Sequence, residues 1–340
     1  MDLRLSDEQQ QLVDALAALY GKHAAPERVR AAEPGGFDAA LWDQLLELGV
    51  VAMAVDEADG GWGASPEDLA LAAEQQGRAV APAPVIEAQA AARALARLGR
   101  EELAGALTDV LAGHRLVTIA LREAVDGRAL AVPAAAVADD ALVLNGDRLL
   151  LVPLEGVRSP FENLGSMPLA DVEVGGSGAR EVASGAEAHA VHDAAVDDWL
   201  RLTAAALVGV GAKALEFAVA YVKERKAWGV PIGSFQSVAH GLADVATAVD
   251  GARLLAYEAA WAASDDVERA PELAALAFAF AAGAARDATD RALHYHGGYG
   301  FMMEYDVQLL WRRARSWGQV WGEPRAGYLR AADRRYGEAS

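Results

Sequence analysis

The sequence predicts a mainly α protein with a small β domain in its middle, and three observations lead there. Residues 1–115 carry apolar side chains at helical spacing. Residues 116–191 break into short apolar runs cut by Gly, Pro and Asp. From residue 192 to 340, long alanine-rich helical patterns return. A chain of 340 residues, 53% hydrophobic, exceeds what one core organises. The expected domains are therefore an N-terminal helical domain (1–115), a reduced β domain (116–191) and a C-terminal four-helix bundle (192–340).

The N-terminal elements follow from caps and periodicity. Ser6 precedes "DEQQQLVDALAALYGKHA", with Asp7 and Glu8 at the positive end of the dipole and Leu12, Leu16, Leu19 and Tyr20 on one face. A second helix fits "FDAALWDQLLELGV", before the Asp- and Gly-rich turn "DEADGGWGAS". Ser65, Pro66 and Asp68 open a third as N-cap, first helical residue and capping-box acid. "VIEAQAAARALARLG" and "REELAGALTDVLAGH" complete the set. In the β region, "VLNGDRLLL" signals a hairpin, with Asn145-Gly146 suited to a type I′ turn. The C-terminal helices are expected from Asp193, whole or broken near Gly209 and Gly211, then after a Ser234 cap, from Pro271 to a stop at Gly297-Gly298, and over "EYDVQLLWRRARSWG".

Composition excludes several function classes. Net charge is −19, which argues against a nucleic-acid partner. Without cysteine there are no disulfides, thiol nucleophiles or thiolate metal sites. No uncharged run reaches the ~20 residues a bilayer requires, and the polar opening is unlike a signal peptide, so the expected location is cytoplasmic, away from membranes.

Two segments carry chemistry. In "ERKAWGVPIGSFQSVAHGLADV" (224–245), Arg225 ends a long helix beside a Gly-Pro turn, where its fork of donors suits phosphate oxygens. The plainer reading is a helical corner with a surface arginine. In "LHYHGGYGFMMEYDV" (293–307), closely spaced glycines let backbone approach a flat or phosphorylated ligand, or merely stop a helix. It is not the dinucleotide fingerprint, because no later glycine and no preceding strand accompany it. His294 and His296 point about 200° apart on a helix, so they do not share a metal ion.

Together these segments resemble the acyl-CoA dehydrogenase family. "RKAWGVPIGSFQ" is similar to its signature R-x-x-F/W-G-x-P-I-x-x-F-Q, and "HYHGGYGF…EY" to its Gly-Gly-x-Gly-Phe segment. "VLNGDRLLL" is similar to the family's middle-domain hairpin, and "LGVVAMAVDEADGGWGASPEDLALAAEQQGR" to its Gly-rich turn and following helix. The likeness covers the whole chain in order. It implies FAD as cofactor, an acyl-CoA substrate and an electron-accepting flavoprotein as partner. It also implies that Arg225 and Gln236 reach FAD across a subunit interface. Trp228 would lie against the cofactor. Gly297 and Gly298, next to His294, would line its adenosine and pyrophosphate.

The chemistry so implied is α-proton abstraction by a carboxylate, with hydride delivered to flavin. Where the family carries its base in a "Y-E-G-T" turn, this chain reads "VWGEP". Gly322 takes the base position and Glu323 comes one residue later. Glu323 is the first candidate base, against the reading of a surface carboxylate in a turn. Other members carry the base early in the first C-terminal helix; that position is Trp199 here, with Asp198 beside it. Asp198 is the second candidate, against a carboxylate on a helix N-terminus. The family's flavin-holding Thr-Glu-Pro…Gly-Ser-Asp loop is replaced by "REAVDGRAL", where Glu123 matches its glutamate. The FAD half a subunit keeps for itself is thus eroded, and the half it lends is kept. Two readings follow: a homo-oligomeric dehydrogenase using Glu323, or an accessory subunit beside a larger catalytic acyl-CoA dehydrogenase chain, as in the steroid-CoA type. A flavin oxygenase on the same fold is a third reading that no residue favours.

Overall fold

The computed structural model describes residues 4–175 and 178–337, so the first three residues of the N-terminal stretch lie outside it. Helices come first: α1 (Asp7–His23), α2 (Pro26–Ala32), α3 (Ala39–Glu47), α4 (Pro66–Ala79), α5 (Val85–Leu98) and α6 (Glu101–Leu111). Short strands follow: β1 (Val117–Ile119), β2 (Arg128–Val132), β3 (Asp140–Asn145), β4 (Arg148–Pro153), β5 (Arg158–Pro160), β6 (Ala170–Glu173) and β7 (Arg180–Ser184). Then come α7 (Gly185–Glu224), the two-residue strands β8 (Lys226–Ala227) and β9 (Val230–Pro231), α8 (Gln236–Asp265), α9 (Ala270–His296), α10 (Val307–Trp317) and α11 (Pro324–Tyr336). The mainly α class with a small middle β region holds, with 62% of the chain helical.

Local signals were accurate at two helix starts. Ser6 and Gln9 exchange 3.1 Å bonds as a capping box, and Ser65 and Asp68 form another at the same distances. Ser234 does not cap α8. It lies in a single 3-10 turn, and its hydroxyl donates back to the Pro231 carbonyl at 2.7 Å, leaving Phe235 as an N-cap without a side-chain bond. The sequence reading also missed α11, which begins at a proline free to occupy the first helical position.

The chain forms two compact units, and α4 and α7 each run from one into the other. One comprises Arg28–Leu69 and Pro82–Trp199. Its four-stranded sheet has the order β1-β3-β4-β7, with β1 and β3 parallel and the other pairs antiparallel; a second sheet is β2-β6-β5. The predicted hairpin forms, but its turn is one residue later than expected. Asn145 pairs with Arg148, so Gly146-Asp147 turn, and of the two only Gly146 has positive φ, +61°. Glycine at the first central position suits a II′ turn rather than I′. In this unit α5 holds the 50–54 stretch by side chain. The Gln89 amide donates to the Val50 carbonyl at 2.6 Å and Arg93 to that of Ala54 at 2.9 Å.

The other unit comprises Met1–Glu27, Ala70–Ala81 and Leu200–Ser340. Helix α7 starts at Gly185, before the expected Asp193, and runs unbroken through Gly209 and Gly211. Those glycines serve packing rather than a kink. A Cβ on Gly77 of α4 would overlap the Ala206 carbonyl, and one on Gly209 would overlap that of Glu74. The two helices therefore cross backbone against backbone. Buried Glu74 at this crossing accepts from Arg253 of α8 at 3.2 Å and from the Tyr257 hydroxyl at 2.8 Å, closing off its charge. Helix α9 is packed by α8, α10 and α11, and Gly327 lets α11 approach Ala275 and Ala279. By length and composition α7 is apolar enough to cross a bilayer, but 72% of that window is buried inside the protein, as in a core helix.

Candidate functional site

Within the helical unit, the last turn of α7, the start of α8 and the end of α9 converge. Tyr221 stacks on His296 with ring centroids 4.2 Å apart. The Ile232 amide donates to the Arg225 carbonyl at 2.8 Å, folding the β8–β9 hairpin back on α7. Gly233 lies so close to Val222 that a Cβ there would stand 3.1 Å from its side chain. Five of the residues singled out from sequence, Arg225, Trp228, Gln236, Gly297 and Gly298, are thereby carried on this one convergence.

Each presents a free function. Arg225 is exposed, and its guanidinium has no partner among the described residues. Gln236 is the exposed first residue of α8, a 30-residue helix whose opening amides have no intrahelical acceptor. A Cβ at Gly297 or Gly298 would meet nothing within 4 Å, so both look onto open space. Trp228 is 91% exposed at the hairpin tip with φ +48°, and Gly229 follows at +85°. A bulky residue in the left-handed region costs on the order of 1 kcal/mol, a strain kept here on a ring that touches Phe235 edge-on. Tyr299, Phe301, Met302 and Met303 are exposed beside the glycines. A cationic fork, a helix N-terminus and unencumbered backbone suit a diphosphate, and exposed rings suit a flat polycycle. The set therefore fits FAD.

The two histidines separate as helical geometry requires. His296 is buried with Nδ1 2.7 Å from the Ala292 carbonyl, whereas His294 is exposed. Among the described residues no group of three His, Cys, Asp or Glu side chains could hold a metal.

The two candidate bases stand in different surroundings. Glu323 is the exposed N-cap residue of α11, and its carboxylate makes no capping bond. Asp198 is not at a helix start. The earlier beginning of α7 puts it more than three turns in, buried, with one oxygen held by Arg93 Nε at 2.9 Å and Arg97 Nη2 at 2.6 Å. Its neighbour Trp199 is 1% exposed, and its indole N–H donates to Glu87 of α5 at 3.2 Å. This buried constellation went unread, although arginines four apart in the alanine-rich "AAARALARL" were a visible signal. Glu123 accepts from the Gly146 amide at 3.0 Å and so fastens the β3–β4 turn.

Burial pushes the Glu87 carboxyl above the usual carboxylate range, against the opposing pull of its own backbone bond and the Trp199 N–H. A raised folded-state value contributes stability that is full below the unfolded value and lost as pH rises through the folded one. Glu87→Gln is therefore expected to raise the melting temperature at pH 7. The gain should shrink to nothing near pH 4, about the unfolded glutamate value. Thermal unfolding followed from pH 4 to 8 checks both limits.

Comparison with known proteins agrees with this geometry. A family model described as acyl-CoA dehydrogenase, N-terminal domain, matches residues 6–114, and one described as acyl-CoA dehydrogenase, C-terminal domain, matches 198–322. The acyl-CoA dehydrogenase IpdE2 of Mycolicibacterium smegmatis is 31% identical, over 94% of this chain and 96% of its own length. Among solved structures, the Tcur3481-Tcur3483 steroid ACAD G363A variant superposes with a TM-score of 0.88 at 27% identity, covering 97% of this chain and 98% of that one. The ChsE4-ChsE5 complex from Mycobacterium tuberculosis gives 0.88 at 26% identity, with both chains covered in full. Matches on both sides of the β region, together with a relative aligned almost end to end, establish that the chain belongs to the acyl-CoA dehydrogenase family.

Proposed function

We propose that this chain works as one subunit of a heteromeric acyl-CoA dehydrogenase, lending half of an FAD site to a partner subunit that carries the catalytic base. The observation that carries the reading is the exposed Arg225, without a side-chain partner among the described residues, beside open Gly297 and Gly298, set against an Asp198 already paired with two arginines. Arg225 would neutralise the FAD diphosphate, and Gln236 would add an amide at the mouth of α8. Trp228 and the neighbouring exposed rings would shield the bound group from water. FAD, when bound, supplies the acceptor for the β-hydride of the acyl-CoA. Electrons would then leave through an electron-accepting flavoprotein. A solved structure described as a steroid ACAD, similar over nearly the whole chain, favours a CoA thioester of lipid or steroid breakdown as substrate.

Co-expression with candidate larger subunits tests this. The complex should purify yellow, and Arg225→Ala should weaken its FAD affinity roughly tenfold or more, the loss of one charge-assisted contact. Glu323→Gln should leave turnover within about twofold, since no transition-state contact is removed. The reading fails if the chain purifies alone with a full complement of FAD and oxidises an acyl-CoA in a Glu323-dependent way.

A further inference from the structure

We infer that Tyr295, seated on Gly241, is a positioning residue that sets the spacing between the helix ends carrying Gln236 and the Gly297-Gly298 turn. The inference rests on the FAD half-site reading and deepens it. Tyr295 and His296 are the last two residues of α9, immediately before Gly297. Neighbours on a helix point about 100° apart, so the pair faces two different helices. His296 stacks on Tyr221 of α7, centroids 4.2 Å apart, four residues before Arg225 (225 − 221). Tyr295 faces α8 at Gly241, five residues after Gln236 (241 − 236). One turn of α9 thus touches both neighbouring helices close to the ends that carry the half-site.

Tyr295 makes its contact by bulk rather than by bonding. Its hydroxyl is buried and has no hydrogen-bond partner. A buried unpaired hydroxyl costs stability, so its presence calls for another use. The oxygen stands where a side chain at position 241 would begin. A Cβ there would overlap the hydroxyl and lie 2.8 Å from Arg291 Nη1, whereas the ring atom Cζ would be 3.5 Å away. Arg291 can swing its long side chain aside, but the tyrosine ring has only two rotatable bonds with which to yield. Helix α8 therefore approaches α9 to contact with that hydroxyl and no closer. Of the two glycines in α8, only Gly241 is closed to a methyl group in this way: a Cβ on Gly251 would meet the Phe280 ring at 3.5 Å, an ordinary contact. The close fit is thus confined to the end that carries Gln236. Restoring ordinary contact around a new methyl group would displace a helix end by more than the about 0.5 Å that a binding constellation tolerates.

The test is FAD titration of the flavin-stripped complex with the larger subunit, with thermal unfolding recorded on the same samples. Gly241→Ala should weaken FAD affinity roughly fivefold or more in a folded complex. Adding Tyr295→Phe to it should restore affinity to within about twofold of wild type, because the methyl group then faces only ring carbon at ordinary contact distance. Tyr295→Leu removes the strut without adding bulk; it should also weaken FAD, and it stands in if Gly241→Ala does not assemble. A role in stability alone would lower the melting temperature and leave the affinity of the folded complex unchanged. Folded Gly241→Ala and Tyr295→Leu complexes that bind FAD like wild type overturn the inference, as does a double variant that binds no better than Gly241→Ala. Arg225→Ala in the same titration separates the two readings. If it weakens FAD while the Gly241 and Tyr295 variants do not, only the spacing role falls; if it too has no effect, the half-site falls and the inference with it.

Discussion

A single methyl group at Gly209, or at Gly77, is expected to destabilise this protein by about 2 kcal/mol or more. Two effects compete. Alanine is a better helix former than glycine by about 1 kcal/mol, which favours the variant. Against that, the new carbon would overlap a backbone carbonyl of the facing helix, that of Glu74 from Gly209 and that of Ala206 from Gly77. A carbonyl in the middle of a helix cannot rotate away, so the crossing must open, and overpacking on this scale costs typically 1–3 kcal/mol and occasionally more. Opening it also loosens Glu74 from Arg253 and Tyr257, which would then compete with water. Urea unfolding of each variant gives the sign directly. An unchanged or raised midpoint would mean that the helices cross less closely than described.

Asp198→Asn is expected to cost about 2–3 kcal/mol, less than the 3–5 seen when a fully buried pair loses one member. The aspartate side chain is 3% exposed, but Arg93 and Arg97 are 22% and 31% exposed, so water recovers part of the loss. Asparagine keeps the shape and removes the charge. Two guanidiniums then face each other over a neutral oxygen, and Arg97 has the more solvent to turn to. A catalytic base would behave differently: its amide variant would lose turnover while folding as well as wild type. Parallel measurement of unfolding midpoint and flavin-dependent turnover in the reconstituted complex separates these roles. A stable variant with turnover abolished would return Asp198 to the list of bases.

Much of the architecture was legible in the sequence because its signals are local. Capping boxes at Ser6 and Ser65 depend on side chains within three residues, and both formed. The hairpin at Gly146 needed one glycine between β-forming runs, and only its register slipped by one. Where a competing local partner existed, the reading failed. Ser234 bonds backward to Pro231 instead of forward into α8. Arg225, Gly297 and Gly298 were singled out because a long cation and flexible backbone at helix ends suit phosphate, and Gln236 was added by the family resemblance. Their convergence is carried by contacts such as Tyr221 on His296, 75 residues apart in the chain (296 − 221).

The order of helices, strands and helices and the family were determined along the chain, since both rest on spacing and motifs within a few turns. The state of the carboxylates was decided only by folding. Whether Asp198 is a free acid or a paired one depends on Arg93 and Arg97, about a hundred residues earlier in the chain. Whether Trp199 is a surface ring or a buried one depends on packing against helices such as the one that carries Glu87. Charge neutralisation and the filling of space act between whatever side chains packing brings within a few ångströms, and no local pattern records them.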